Sequence, residues 1–240
     1  MSRLIGIVGQ SGSGKSTSIG AIPTLGYVGL DEKTTAIINV MGKPLPFKNS
    51  YRIRVNKFNE VTNMFEKVQG GNMLISKHPV EIIQFLHEMN QNPNVKTIII
   101  DDFQYIMSDE LMVNAMVKGF DKFTKISSNA YFILVTGMNL RHDLNVVILT
   151  HSEPVYDSQV IVDYKIKTIG KMLDQNITLE GLFTVLLFSD SSVKDEKPCK
   201  VFITNDNGKF KQAKSPIGMF DSIEIPNDLH FVLEKVNAIL

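Results

Sequence analysis

The sequence predicts an α/β fold with a mostly parallel central sheet, and three observations support this class. Apolar, strand-like runs alternate with helical patterns along the chain, which is typical of parallel strands joined by crossover helices. The first apolar run, residues 4–8, leads directly into a glycine-rich turn. The length of 240 residues suits one domain of ordinary size, so we expect residues 1–240 to form a single domain.

The glycine-rich turn carries a phosphate-binding motif. Residues 9–16 fit G-x-x-x-x-G-K-[ST], the P-loop, whose glycines let the backbone direct N–H groups at phosphate oxygens. The Lys15 ammonium would neutralise the β- and γ-phosphates during catalysis, and the Ser16 hydroxyl would ligate Mg²⁺. A turn that merely joins a strand to a helix is the alternative, but the Lys-Ser pair and the preceding strand favour a nucleotide site. The expected nucleotide-binding residues are Gly9, Gln10, Ser11, Gly12, Ser13, Gly14, Lys15, Ser16 and Thr17.

The segment that follows the P-loop is expected to be helical. Residues 15–22 would open a helix whose positive end faces the bound anion, and Pro23 would end it. Without a ligand, we expect the Lys15 side chain to face solvent.

The next elements are predicted from local patterns. Residues 34–40 and 51–55 are predicted to be strands on either side of a turn-rich loop at residues 42–46. Residues 60–69 and 79–89 are predicted to be helices, the second with a proline in its first turn.

Residues 97–102 form an apolar run that ends in two carboxylates, the pattern of a Walker B strand. Asp101 is expected to hold Mg²⁺ beside the P-loop hydroxyl. Two interpretations of Asp102 remain open. Its carboxylate could orient or deprotonate the attacking water, or it could cap the next helix.

The middle of the chain contains an ambiguous segment. Residues 108–118 are predicted to be helical, and residues 120–126 are expected to continue that helix. Residues 131–135 have strand propensity, yet residues 146–149 form a better strand close behind them. Because parallel neighbours need a crossover between them, residues 129–144 are predicted to be helical.

Polar residues follow the strand at residues 146–149. In a parallel sheet the carboxyl ends of the strands line the ligand crevice, so Thr150 and His151 are expected to face the γ-phosphate and to sense its presence. Beyond them, residues 183–188 and 200–204 are predicted strands joined by a polar loop at residues 189–198. The chain would end in a helix that starts near residues 226–229.

Composition excludes several classes of protein. The 25 basic and 25 acidic residues cancel, so no overall field attracts the chain to nucleic acid or to an anionic membrane. The single cysteine, Cys199, excludes an internal disulfide framework and a cysteine-based zinc site. The early P-loop leaves no room for a signal peptide, and no apolar stretch is long enough to span a bilayer. A cytoplasmic location is therefore expected.

The order of these motifs resembles that of RecA-type ATPases encoded by bacteriophages, and more specifically phage AAA-type ATP-binding proteins related to single-strand-annealing recombination ATPases. The resemblance spans nearly the whole chain. Beyond the P-loop, it rests on residues 98–103, 145–153, 42–47, 121–124, 170–174, 213–220 and 225–229.

The resemblance implies a RecA-like P-loop core and hydrolysis of ATP with Mg²⁺. It also implies a homo-oligomer that works on single-stranded DNA in the cytoplasm of a bacterial host, together with a single-strand-binding protein. Loops after the Walker B and His151 strands would then bind DNA through nearby lysines, namely Lys118, Lys122, Lys125, Lys165 and Lys167. A nucleotide-dependent switch, or an adaptor like a helicase loader that controls a protein partner, is the alternative.

One departure from the family pattern concerns the catalytic acid. RecA-type recombinases generally carry a catalytic glutamate just after the second strand, whereas residues 37–42 contain no acid. The role would then pass to Asp102 or to another residue, or hydrolysis would be slow. The family also completes its site across a subunit interface with a basic residue, for which Lys214, Lys171 and Lys167 are candidates.

Overall fold

A computed structural model describes residues 1–170, 173, 177–194 and 196–240. In this part of the chain, no helix is long and apolar enough to cross a membrane. The strands are β1 (Arg3–Gly9), β2 (Thr35–Asn39), β3 (Val55–Asn59), β4 (Met64–Gln69), β5 (Met73–Leu74), β6 (Thr97–Asp101), β7 (Asn145–Asp157), β8 (Val160–Ile166), β9 (Val185–Lys194), β10 (Lys197–Ile203) and β11 (Glu224–Pro226). The α-helices are α1 (Pro79–Gln91), α2 (Gln104–Val113), α3 (Asp121–Met138) and α4 (Leu229–Ile239).

The predicted fold class is confirmed. The main sheet has the strand order β11-β10-β9-β1-β7-β6-β2-β5, and β8 pairs with β7 outside this path. The strands from β9 to β5 run parallel to one another, whereas β10, β11 and β8 pair antiparallel with their neighbours. The C-terminal β-hairpin plus helix that the sequence predicts corresponds to β9–β10 and α4. Strand β7 thus separates the P-loop strand β1 from the Walker B strand β6.

Alternate residues of the central strands enter two hydrophobic layers, one on each face of the sheet. Strand β6 illustrates this pattern, because Ile98 and Ile100 pack with the layer that contains Phe85 of α1, whereas Ile99 packs with the layer that contains Val232 of α4. The strands are therefore buried on both faces, as the continuous apolar runs predict. The strand register places the ends of β1 and β6 near His151 of β7 at one edge of the sheet.

The prediction of a helix after the P-loop is wrong beyond a single turn. Only Ser16–Ile19 are helical, as a 3-10 helix, and Gly20 is already extended with φ −93° and ψ 155°. The ring of Phe47 lies where a Cβ on Gly20 would be, at 2.1 Å, so packing against the 42–47 loop sets the chain path here. A four-residue helix contributes little dipole, so an anion here depends on the P-loop backbone and Lys15.

The predicted helix at residues 60–69 is also wrong. This segment forms the antiparallel hairpin β3–β4, a two-stranded sheet separate from the main one. Asn63 adopts a left-handed conformation with φ 54° in the turn, a conformation that asparagine tolerates well. Phe58 and Phe65 then face each other across the strands, with ring centroids 5.0 Å apart. The short strand predicted at residues 51–55 is reduced to one bridge between Ile53 and Met73 before β3 begins.

The elements around the Walker B strand differ in their bounds. Helix α2 begins at Gln104, earlier than predicted, and ends at Val113, so α3 is a separate helix rather than its continuation. Helix α3 covers the ambiguous segment as far as Met138, which confirms the helical interpretation there. The polar stretch 189–198 is hairpin rather than loop in its described part, since β9 continues to residue 194 and β10 begins at residue 197. Strand β7 likewise continues past His151 into a hairpin with β8.

Candidate nucleotide-binding site

The P-loop leaves the carboxyl end of β1 in a conformation that depends on its glycines. Gly12 and Gly14 have φ values of 76° and 98°, a region that other residues rarely adopt. A Cβ on Gly14 would also lie 2.9 Å from the side-chain oxygen of Asn227, a buried residue just before α4. The C-terminal segment therefore packs closely against the P-loop at Gly14, and this close approach leaves no room for a side chain there.

The Lys15 side chain does not face solvent, contrary to the expectation from sequence. Only 6% of the residue is exposed, and Nζ donates to the carbonyl oxygens of Gly9 and Gln10, each at 2.8 Å. Burial lowers the pKa of Lys15 to about 8, although the charges of Asp102 and Asp101 oppose this shift. An anion that enters this site would stabilise the ammonium and raise the pKa of Lys15 again.

Ser16 and Asp101 meet although 85 positions separate them in the chain. Ser16 Oγ donates to Asp101 Oδ1 at 2.9 Å. Asp101 is buried, and burial together with the neighbouring Asp102 charge raises its pKa to about 6. A hydroxyl and a carboxylate at this spacing are oxygen ligands of the kind that Mg²⁺ takes, so these two residues could hold the metal. In the described part of the chain, no group of three or more His, Cys, Asp or Glu side chains is placed to hold a metal alone, so phosphates and water would complete the coordination.

Asp102 lies at the centre of a small polar cluster. It has a left-handed backbone with φ 66°, and its Oδ2 accepts from Lys43 Nζ at 3.0 Å. Its Oδ1 lies 3.6 Å from His151 Nε2, and the Tyr105 ring meets the His151 ring edge-on at 5.7 Å between centroids. The N-cap of α2 is Phe103, and no side chain caps it. Asp102 therefore does not cap α2, and its carboxylate lies in the cleft, where it could contact an attacking water.

His151 lies at the same level as the start of the P-loop, because it pairs with Gly9 in the β1–β7 register. Its pKa falls to about 4, first because of burial and second because of the nearby Lys15 charge, so the imidazole is neutral at pH 7. The backbone N–H of His151 donates to Gln104 Oε1 at 3.2 Å, and Thr150 Oγ1 lies 3.5 Å from the same atom.

The structure brings most of the predicted site residues into one cleft. Its lining residues are Ser11, Gly12, Gly14, Lys15, Ser16, Thr17, Asn39, Lys43, Pro44, Leu45, Pro46, Asp101, Asp102 and His151. Gln10 and Ser13 line a neighbouring cleft on the other side of the P-loop, together with Ser11 and Gly12. Thr150 is buried behind the wall of the first cleft, so its direct contact with a nucleotide is not supported. It could sense the ligand only through Gln104 and His151.

The sequence analysis did not predict the loop residues that line this cleft or the polar residues that position its side chains, Asn39, Lys43 and Gln104. Asn39, at the end of β2, donates to the carbonyl of Lys43 at 2.7 Å and accepts from the N–H of Gly42 at 2.9 Å. These two hydrogen bonds hold the loop so that Lys43 reaches Asp102. Gln104 holds the backbone of His151 through the hydrogen bond described above. The sequence signal for Lys43 was its place in a loop directly after a predicted strand, whereas the position of that strand next to the Walker B strand is visible only in the structure.

The three lysines considered for a subunit interface lie in different places. Lys167 is exposed and close to the cleft, because its backbone N–H donates to the His151 carbonyl at 2.8 Å. Lys214 pairs through its backbone with Leu186 near the opposite end of β9, away from the P-loop. Lys171 lies outside the described residues.

Comparisons with known proteins add little beyond the fold. No family model and no curated protein matches the chain. A solved structure of a KaiC-like protein from the hyperthermophilic archaeon Pyrococcus horikoshii OT3 is similar, with a TM-score of 0.40 and 10% sequence identity, over 84% of this chain and 77% of that chain. This likeness is too distant to bear on activity or substrate.

Proposed function

We propose that this protein binds ATP with Mg²⁺ and hydrolyses it. The contact between Ser16 Oγ and Asp101 Oδ1 at 2.9 Å, beside the Lys15 ammonium, is the observation that carries the proposal. It joins the two halves of a metal–phosphate site from distant parts of the chain, at the edge of the sheet where parallel strands present their ligands. A turn that merely joined β1 to the next element would not need this pair.

A third cleft next to the P-loop, different from the two described above, supports a nucleotide over a simple phosphate. It is lined in part by Gly14, Thr17, Leu25, Tyr27 and Pro198, so its walls combine backbone, aliphatic and aromatic surfaces. A purine base and a ribose fit such a mixed surface, whereas inorganic phosphate would leave it empty.

The residues of the cleft can divide the work of hydrolysis. Lys15 would bind the β- and γ-phosphates, and Ser16 with Asp101 would hold Mg²⁺, which neutralises charge on those phosphate oxygens when it is bound. Asp102 and the neutral His151 are the polar groups that would orient or deprotonate the attacking water. Asp102 Oδ1 and His151 Nε2 lie 3.6 Å apart, so both could contact the same water.

We further propose single-stranded DNA as the polymer that stimulates this activity. The connection between α2 and α3 is exposed and both apolar and basic, with Met116 94% exposed, Phe120 84% exposed and Lys118 exposed beside them. Aromatic side chains stack on bases and lysines contact phosphates, so this composition suits a single strand. Lys125 is also exposed, whereas Lys122 and Lys165 are engaged in contacts with Asn114 and Glu153.

The second candidate function is a nucleotide-dependent switch that controls a protein partner, as a helicase loader does. The end of α2 and the same connection favour it, because Met112 and Val113 of the helix and Met116 and Val117 of the connection are all exposed. An apolar surface that is rich in methionine is typical of protein-binding sites.

Hydrolysis with and without DNA separates the two candidates. Phosphate release from ATP and Mg²⁺ would be measured alone, with a single-stranded oligonucleotide and with the same sequence as a duplex. Stimulation by the single strand supports the first candidate. A slow rate that DNA does not change supports the switch, and no release in any condition contradicts both as hydrolases.

We also propose the process, the location and the assembly in which the protein acts. The sequence resemblance to phage recombination ATPases supports a role in phage recombination or replication in the cytoplasm of a bacterial host. It also supports a homo-oligomer, in which a lysine such as Lys167 or Lys214 could reach a neighbouring site, and action beside a single-strand-binding protein.

A further inference from the structure

The loop after β2 delivers a positive charge to a carboxylate of the cleft. Buried Asn39 holds the loop through two hydrogen bonds, to the Gly42 N–H at 2.9 Å and to the Lys43 carbonyl at 2.7 Å. Gly42 has φ 65°, and the loop then continues with the stiff sequence Pro44-Leu45-Pro46. These contacts set the backbone position of Lys43, whose side chain is 58% exposed.

Lys43 contacts two side chains of the cleft at once. Its Nζ lies 3.0 Å from Asp102 Oδ2 and 5.0 Å from the centre of the Tyr105 ring. The Tyr105 ring in turn contacts His151, whose Nε2 lies 3.6 Å from the other oxygen of Asp102. The carboxylate is thus held by an ammonium at Oδ2, while the neutral imidazole lies near Oδ1 beyond hydrogen-bond distance.

The charges of the cleft explain why such a hold is needed. Asp101 and Asp102 are adjacent carboxylates, and a nucleotide triphosphate with one Mg²⁺ brings a further net negative charge of about two. An unpaired Asp102 would be repelled by both Asp101 and the phosphates. A cation on Asp102 offsets this repulsion, and among the cleft-lining residues that the structure describes, Lys43 is the cation in contact with it.

We propose that Lys43 is a positioning residue for hydrolysis, which holds the Asp102 carboxylate in the cleft against the charge of the nucleotide. This inference rests on the proposed function and adds to it a residue that acts through Asp102 rather than on the phosphates. It also accounts for the loop after β2, where this chain carries a lysine and no acid.

Turnover and nucleotide affinity, measured separately, test this role. Lys43→Met should lower kcat for ATP roughly tenfold or more, whereas the lost charge should weaken the Kd for ADP with Mg²⁺ by a clearly smaller factor, because the ammonium acts mainly on Asp102. Lys43→Arg keeps the charge and should restore most of the turnover. Lys48→Ala, at an exposed lysine further along the same loop, is the matched control and should change neither quantity.

The turnover of a double variant distinguishes a residue that acts through Asp102 from one that only stabilises the fold. If Lys43 acts through Asp102, then Lys43→Met combined with Asp102→Asn should turn over no more slowly than Asp102→Asn alone. Losses that multiply would overturn the inference, as would a loss of nucleotide affinity in Lys43→Met as large as its loss of kcat, or normal turnover in that variant. A parent protein that binds nucleotide but hydrolyses none would instead refute the proposed hydrolysis, and this inference with it.

Discussion

The two carboxylates at the end of β6 have different surroundings, and these predict different consequences of substitution. Asp101 is buried against Ser16, whereas Asp102 faces Lys43 and His151. Asp101→Asn should therefore weaken Mg²⁺-dependent nucleotide binding. Asp102→Asn should leave binding intact and lower turnover by roughly a hundredfold if the carboxylate is a general base. Fluorescent-nucleotide titrations and steady-state phosphate release would measure the two effects.

If Asp102→Asn hydrolyses ATP at the parent rate, the base is elsewhere and the Asp102 cluster is structural. Asp190→Asn is a matched control, because Asp190 pairs with Lys209 in the neighbouring cleft and has no assigned role in hydrolysis.

The buried ammonium of Lys15 predicts a proton linkage. Its pKa of about 8 means that a substantial fraction of the side chain is neutral at pH 8.5. The phosphates of a bound nucleotide favour the charged form and raise the pKa, so binding at pH 8.5 should take up a fraction of a proton that binding at pH 6.5 does not. Calorimetric titrations in two buffers with different ionisation enthalpies would measure this uptake. A parent protein with no uptake at pH 8.5 would contradict the assignment of Lys15 as a phosphate ligand.

The site residues differ in how readily the sequence reveals them. Lys15, Ser16 and Asp101 belong to motifs whose spacing follows from phosphate and metal chemistry, and the structure brings them together as expected. Lys43 carries no such spacing, because its contact with Asp102 depends on which strands are neighbours in the sheet. The burial of Lys15 likewise depends on carbonyl groups that a sequence pattern does not show.

Among the secondary-structure elements, α3 and β4 show when local patterns suffice. Residues 131–135 have strand propensity but lie in α3, and the need for a crossover between parallel strands predicted this correctly. No crossover requirement of this kind applies to residues 64–69. Their strand conformation depends on cross-strand contacts with β3, which the local sequence pattern does not show. The order of strands and the need for a crossover between them therefore predicted α3 better than local propensity did.

Helix α4 offers a prediction on stability at the level of one element. Its N-cap Asp228 is buried, and its carboxylate accepts from the backbone N–H groups of His230 at 2.9 Å and Val28 at 3.0 Å. Asp228→Ala removes both acceptors, so the free energy of unfolding should fall by about 1–2 kcal/mol. Asp228→Asn keeps an acceptor oxygen and should cost less. Urea denaturation of the three proteins would measure the difference, and equal midpoints would show that the cap contributes nothing.

At the scale of the whole molecule, the formal net charge of zero makes DNA binding a local property. A single strand should bind through the α2–α3 connection, weaken steeply as salt rises and show little sequence preference. Phe120→Ala should reduce the affinity by about 1 kcal/mol or more if the ring stacks on a base. Lys118→Ala should lower the salt slope by about 0.7 if it contacts one phosphate.

Fluorescence anisotropy on a labelled oligonucleotide, with ATP, ADP or no nucleotide, would measure these quantities. Phe132→Ala is the matched control, since this ring is 56% exposed on α3 outside the connection. Absence of single-strand binding in every nucleotide state at low salt would favour the switch that controls a protein partner.

Nucleotide binding at the P-loop is tested most directly by a calorimetric titration of the intact protein with a slowly hydrolysed ATP analogue, with Mg²⁺ and with excess chelator. We predict one site per chain with Mg²⁺, weaker binding with chelator and loss of the site in Lys15→Ala. A parent protein that binds no nucleotide with Mg²⁺ would contradict the central claim, and so would a Lys15→Ala variant that binds it with unchanged affinity.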